Sequence, residues 1–529
     1  MRGLLVFLAV TEGRVRAADY EEVRVKRRTL FGAAIAAVAT AALVAQSPAG
    51  GRVTSGALPA PHPALMDYQF VSGSETPPSE AQCESVGRTC FTPQAIQSAY
   101  NVGPLYAAGL DGSGMTIAIV DSWGSDTIAH DLHVFNNAFG LAHMCGEEGV
   151  TCATGMPTFT VMHPNGSPAT KPQPGNGTKL EDKTLWDLET TLDVETAHAI
   201  APGANILLVA TTGAETLGVQ GFPNMMKAEQ TVVDNHMAQV ISQSFASAEE
   251  AFGSTASLLN LRFAFQDAAA NGVTVFGASG DDGTANRTKQ SLLKHDGNII
   301  PFPTVEWPAS DPLVTGVGGT YLCTNPLAGT NDPRTPYFKL GVGAKCGSNT
   351  FNPLHNLAEV AWTFSGGGFS HIFAKPAYQN TLPAGSTAIG SARGVPDIAF
   401  QASAGTGALV YITLPPDGQS GLICGSSPCS TGWYDIGGTS LGTPQWAGLA
   451  AIGAQLKGHG LGLINGALYT IASNPARYAA DFYDVATKNT NQSDPSVPGY
   501  PATTGWDPVT GLGTPNAAHL IPDLVALTP

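Results

Sequence analysis

Short apolar runs rich in β-branched residues recur along the chain, separated by longer stretches of helical periodicity. Met115–Val120, Ile206–Ala210, Val240–Ser242 and Val273–Phe276 each read as a buried strand. Uninterrupted apolar runs of this length suit strands covered on both faces of a parallel sheet. Gly448–Leu456 is apolar almost all round a helical projection and predicts a helix enclosed in the core. Strands alternating with helices predict an α/β fold: a doubly wound, mostly parallel sheet flanked by helices, with functional residues on loops at the strand ends. No internal repeat interrupts the pattern.

The N-terminal region is patterned differently. Lys26, Arg27 and Arg28 precede an apolar run from Leu30 to Ala45, and small residues follow through Gly50. A charged region, a hydrophobic region and a cleavage zone in that order predict an export leader over residues 1–49. The run falls short of the about 20 residues that a membrane span needs, although a single signal-anchor helix is the alternative. Arg27-Arg28 before Thr29-Leu30-Phe31 resembles a twin-arginine signal. Residues 1–22 fit no part of a signal, which points to an over-extended start. Residues 50–89, rich in Pro, Gly, Ala and Ser, read as a linker, and ordered patterning begins near Thr92-Pro93-Gln94. From about residue 90 to 529 the chain reads as one large domain.

Charge and cysteine content narrow the classes further. Of 529 residues, 25 are Lys or Arg and 41 Asp or Glu, a formal net charge of -16. Such a surface repels nucleic acid, and no basic patch lies beyond the leader. Eight cysteines fall in sequence-local pairs: Cys83/Cys90, Cys145/Cys152, Cys323/Cys346 and Cys424/Cys429. An even count in an exported chain reads as disulfides. Local pairing is the simplest of the roughly 105 connectivities that eight cysteines allow. None shows paired metal-ligand spacing.

Three segments offer the parts of an acyl-transfer site. In Trp186–Glu195, Glu189 and Asp193 stand four apart, so on a helix they share a face and their carboxyls can meet. Like charges at that spacing repel, which raises one pKa and leaves a shared proton. Two solvated acids on an exposed face are the plainer alternative. Gly437-Gly438-Thr439-Ser440 leads into the predicted core helix. A serine there has backbone N–H groups and a helix dipole beside it, suited to a developing oxyanion; an ordinary Thr-Ser N-cap competes with that reading. Ala278–Gly283 follows a predicted strand and carries Asp281, which if protonated can donate into an oxyanion hole; an ordinary Asp-Asp-Gly turn is the plainer alternative.

Taken in order, these segments resemble the sedolisin family of serine-carboxyl peptidases: Glu-x-x-x-Asp before Ala201-Pro202-Gly203-Ala204, then Ser279-Gly280-Asp281-x-Gly283, then Gly438-Thr439-Ser440-x-x-x-Pro444. Val317–Thr320, Ser365–Ser370, Arg393–Asp397 and Gly505–Pro515 are similar too, so the resemblance covers about residues 90–529. It implies a subtilisin-like fold and a secreted, acid-acting endopeptidase or tripeptidyl peptidase acting on proteins and peptides as a monomer, without stable membrane association. It further implies Ser440 as nucleophile, Glu189 as general base, Asp193 as its orienting partner and Asp281 in the oxyanion hole. The family also binds one Ca²⁺; the matching positions are the side chains of Asp484 and Asp507 and the carbonyls of Val485, Thr503 and Gly505, an all-oxygen set. A glycine is usual where Thr503 stands.

The chain departs from the family in places. Relatives carry a large folded prosegment, whereas about 40 residues separate the leader from the resembling region. That implies unaided folding, a prosegment or inhibitor acting in trans, or no zymogen stage. Relatives also extend the acid network through a glutamate and a tryptophan, at places that here look like Asp121 and Phe245. Rival readings remain open on sequence. Gly438-Thr439-Ser440-Leu441-Gly442 fits the nucleophile elbow of α/β-hydrolases, with Asp507 and His519 as partners. Asp121 with His198 is the nearest approach to a subtilisin arrangement. A catalytically silent binding protein on the same fold is the non-enzymatic alternative.

Overall fold

The computed structural model describes residues 67–164, 178–211, 221–288, 298–325, 330–331, 351–352, 357–414, 422–424 and 427–529. The expected leader and Cys346 lie outside the described residues, and with Cys346 the expected Cys323/Cys346 pair.

The strands, in chain order, are β1 (Asp67–Ser72), β2 (Thr116–Ser122), β3 (Phe159–Met162), β4 (Asn205–Thr211), β5 (Val240–Gln243), β6 (Thr274–Ala278), β7 (Thr315–Leu322), β8 (Phe351–Asn352), β9 (Leu357–Ala361), β10 (Ile398–Gln401), β11 (Ala408–Ile412) and β12 (Gly432–Gly437). Nine strands build the central sheet in the order β8-β9-β7-β6-β5-β2-β4-β3, with β10 also on β7. Pairings from β3 through β7 and that of β10 are parallel, and β9 pairs antiparallel with both β7 and β8. The four apolar runs of the sequence are β2, β4, β5 and β6. Their residues are almost all buried, as continuous apolar strands in a two-sided parallel sheet must be. Strand β2 outruns its apolar run: pairing with β4 continues to Ser122↔Thr211, so Asp121 lies within the strand.

A second, three-stranded sheet joins β1, β12 and β11 antiparallel. Strand β1 corrects the linker expectation for residues 50–89 from Asp67 onward. Its ladder to β12, the Phe70–Tyr434 edge contact at 5.4 Å, and Arg88 on Asp67 at 2.6 Å hold a segment whose composition alone resembles a tether. Next to it, Ser79 forms a capping box with Gln82, and Cys83–Cys90 closes a local loop. Cys145–Cys152 and Cys424–Cys429 pair as expected.

Six helices matter for the site: α1 (Ile128–Phe139), α2 (Thr178–Ile200), α3 (Phe222–Asp234), α4 (Phe263–Ala270), α5 (Thr439–Lys457) and α6 (Ala517–Leu527). Helix α5 is the predicted core helix, buried from Thr439 through Ala454. Burying Leu441, Leu449 and Ile452 stabilises the fold by roughly 1.5–3 kcal/mol each. Helix α2 packs against it. At Gly448 a Cβ would stand 2.9 Å from Ile200, so glycine lets the two backbones close. That crossing sets the acids of α2 against the N-terminus of α5.

Candidate active site

Strand β12 delivers the chain to Gly438, whose φ of 139° and ψ of 161° suit glycine alone. Helix α5 then starts at once. Thr439 and Ser440 are its first two residues and Gly438 is the N-cap, with no side-chain cap bond; the ordinary Thr-Ser N-cap does not form. Pro444 lies one turn in and has no N–H to offer the Ser440 carbonyl. Ser244, just past β5, stands 3.5 Å from that carbonyl oxygen and donates to Asp193 Oδ1 at 2.9 Å.

Asp281 sits after β6, at the carboxyl ends of the parallel strands where doubly wound sheets place their ligands. The Thr439 backbone N–H and Oγ1 both donate to its Oδ1, at 2.7 and 2.8 Å, and Gly280 N–H donates to Thr439 Oγ1 at 3.2 Å. Thr439 thus ties the aspartate loop to the nucleophile turn. With Oδ1 occupied as acceptor, Oδ2 is the oxygen that can carry a proton.

Glu189 and Asp193 are buried, on the face of α2 that meets α5 and the sheet; they are not an exposed acid pair. Burial pushes Glu189 well above the usual carboxylate range, and the charges of Asp193, Asp121 and Asp281 push the same way, while the Ser440 hydroxyl counters them. Asp193 is also raised, by burial and then by Asp121, with Ser244 opposing. Asp121 is pushed up to about 7 by burial, with Thr190 opposing. Several carboxyls that cannot all ionise therefore crowd one water-poor place beside Ser440. Phe245, at the family's tryptophan position, offers no polar atom and packs edge-on to Phe222 at 5.8 Å.

Kumamolisin of Bacillus sp. (strain MN-32) is 31% identical over 451 residues, 84% of this chain and 66% of that protein. The chain belongs to the sedolisin family. No family model matches the chain. Bovine tripeptidyl-peptidase 1 (Bos taurus) is 26% identical over 365 residues, 64% of this chain and 52% of its own length. The solved Pseudomonas sedolisin, a serine-carboxyl proteinase complexed with two molecules of pseudo-iodotyrostatin, superposes with TM-score 0.57 at 25% identity, covering 83% of this chain and 98% of that one. The chain spans about half to two thirds of the length of these curated relatives.

The rivals to the sedolisin arrangement lose their partners. His198 meets the Ala142 carbonyl at 2.8 Å, and burial lowers its pKa to about 4, so it is a packed neutral residue of α2. Asp507 accepts from the backbone N–H groups of Thr503, Val509 and Thr510, and no described hydrogen bond joins it to His519. Two contributors had escaped the sequence reading. Ser244 is signalled only by the Ser242-Gln243-Ser244 run that leaves β5, and Thr439 only by its place before Ser440. Replacing Ser244 by Ala frees Asp193 Oδ1; a fall in kcat of about tenfold with KM nearly unchanged is expected in steady-state assays.

The expected calcium positions also converge. Gly505 N–H donates to Asp484 Oδ2 and Thr503 N–H to Asp507 Oδ2, each at 3.0 Å. Asp484 Oδ1 is buried without a hydrogen-bond partner, and burial raises Asp484 to about 6 and Asp507 to about 7. An orphaned carboxylate oxygen beside a second buried carboxylate fits a hard cation.

Proposed function

We propose that the chain is a secreted, acid-acting serine-carboxyl peptidase, an endopeptidase or tripeptidyl peptidase, with Ser440, Glu189, Asp193 and Asp281 as its catalytic set. The observation that carries this reading is the buried Glu189–Asp193 pair set against Ser440. Glu189 takes the Ser440 Oγ proton as Oγ attacks the scissile carbonyl, while Asp193, held by Ser244, shares the remaining carboxyl proton. Protonated Asp281 and the Ser440 backbone N–H stabilise the tetrahedral oxyanion. Collapse breaks the peptide bond, Glu189 returns the proton to the leaving amine, and water then hydrolyses the acyl-enzyme by the same route. The acid set needs protons on Asp193 and Asp281, which supports work in acid.

Export fits the three described disulfides and the lack, among the described residues, of a helix long and apolar enough to cross a membrane. In this reading residues 1–49 are the leader and residues 90–529 the peptidase region. Asp484 and Asp507, with the carbonyls of Val485, Thr503 and Gly505, would hold one Ca²⁺, which supplies charge neutralisation for the C-terminal turn. Asp507→Asn is expected to abolish the rise in Tm that added Ca²⁺ gives the wild type, read by differential scanning fluorimetry. The peptidase reading is tested by hydrolysis of an unfolded protein substrate: wild type active in acid and Ser440→Ala inactive supports it, and equal turnover by both contradicts it.

A further inference from the structure

Away from the catalytic residues, three side chains converge with no part in the chemistry above. Helix α1 ends at Gly140 (φ 64°), and the following loop folds back beside the helix. His133 comes from the helix, and His143 and Glu147 come from the loop. His143 Nδ1 stands 2.7 Å and His133 Nδ1 3.5 Å from the same oxygen, Glu147 Oε2. The ligand atoms of all three lie within 4.8 Å of one another. The two imidazoles stack, centroids 5.1 Å apart and planes 24° apart.

Glu147 is held for this position. Its side chain is fully buried, and its other oxygen, Oε1, accepts from Asn136 Nδ2 at 2.6 Å and from Met144 N–H at 2.5 Å. Cys145–Cys152 closes the loop around it. His133 Nδ1 is buried and makes no hydrogen bond. With hydrogen bonds alone, two Nδ1–H groups would have to share the one oxygen Glu147 Oε2, and His133 Nδ1 at 3.5 Å is too far to make such a bond. A divalent cation would engage both Nδ1 lone pairs and Glu147 Oε2 together.

We infer that His133, His143 and Glu147 form a binding site for a zinc-type divalent cation. Two imidazoles and one carboxylate are the protein ligands of open zinc sites, with water in the fourth position. The half-exposed rings leave that position to solvent, with His133 32% and His143 36% exposed. Bonds of about 2.0–2.1 Å put tetrahedral ligand atoms roughly 3.3 Å apart, so the His143–Glu147 pair opens from 2.7 Å and the wider pairs close, a rotamer-scale movement. Metal on His133 Nδ1 puts the ring proton on Nε2, which lies 2.8 Å from Asn137 Nδ2. Turning the Asn137 amide presents its oxygen there and fixes the tautomer. Two nitrogen donors disfavour Ca²⁺, so this site is distinct in chemistry from the Asp484/Asp507 set.

The test uses the full-length mature protein without a histidine tag, carrying Ser440→Ala against self-digestion. After EDTA treatment and return to excess Ca²⁺ at about pH 7.5, Zn²⁺ is titrated by calorimetry, with Tm followed in parallel. One equivalent of Zn²⁺ is expected to bind and to raise Tm. His143→Ala, at a half-exposed position, should weaken binding at least tenfold and remove the Tm response while circular dichroism stays unchanged; His133→Ala should do the same. No Zn²⁺ uptake above that of the Ca²⁺-loaded protein, or equal uptake and Tm response in both variants, overturns the assignment.

Discussion

Glu189→Gln is expected to reduce peptide hydrolysis by about 10⁴-fold at the acid optimum while leaving the protein folded and, near neutral pH, more stable than wild type. The amide keeps the shape of the side chain but cannot take the Ser440 proton. The stability arm follows from the raised pKa. A buried carboxyl that holds its proton more tightly when folded penalises folding progressively as pH rises from the unfolded value, near 4.5, through the folded one. Glutamine removes that penalty, so Tm should equal that of wild type near pH 4 and exceed it near pH 7.5. Ser440→Ala should be as inactive, and the double variant no worse than either alone, because the two residues act in one step. Substantial residual turnover, or a variant destabilised at both pH values, would count against the assignment.

The second large effect concerns Arg393 and Asp397. Both are fully buried and joined by Nη1–Oδ1 at 2.8 Å and Nη2–Oδ2 at 2.5 Å. Burial works to lower the arginine pKa, but Asp397, Tyr378 and Tyr469 together push it the other way and the net direction is upward. Asp397 also accepts from Gly316 N–H at 2.9 Å and Tyr469 OH at 3.0 Å, linking β7 to the C-terminal helices. Arg393→Ala leaves a buried carboxylate without its cation, and chemical denaturation should show a loss of about 3–5 kcal/mol. Adding Asp397→Asn removes the stranded charge yet still accepts from Gly316, so the double variant should recover part of the loss. A double variant less stable than Arg393→Ala would contradict this account.

Much of the site was legible because its signals are local. Four-residue spacing puts Glu189 and Asp193 on one helical face whatever the fold, and the Gly437-Gly438 turn marks where Ser440 enters a core helix. The continuous apolar runs gave the parallel sheet for the same reason. What the sequence concealed depends on distant segments meeting. Ser244 and Thr439 acquire roles only once β5, the Asp281 loop and α5 share one end of the sheet. Asp121 entered only through resemblances, since an acid ending an apolar run says nothing of the α2 carboxyls it will face. Strand β1 was hidden by composition: a Pro- and Gly-rich neighbourhood reads as a tether until its partner β12 is known. The His133, His143 and Glu147 cluster was equally silent, because a helix and a loop assemble it.

The central claim is that a carboxylate, with protonated acids beside it, does the work that histidine does in other serine hydrolases. The most direct test is kcat/KM of the wild type on a single peptide from about pH 2 to about pH 8. The account predicts a maximum in acid and a fall toward neutrality as Asp193 and Asp281 lose their protons. A rise to a plateau at neutral pH would contradict it, since that is the titration of a histidine base.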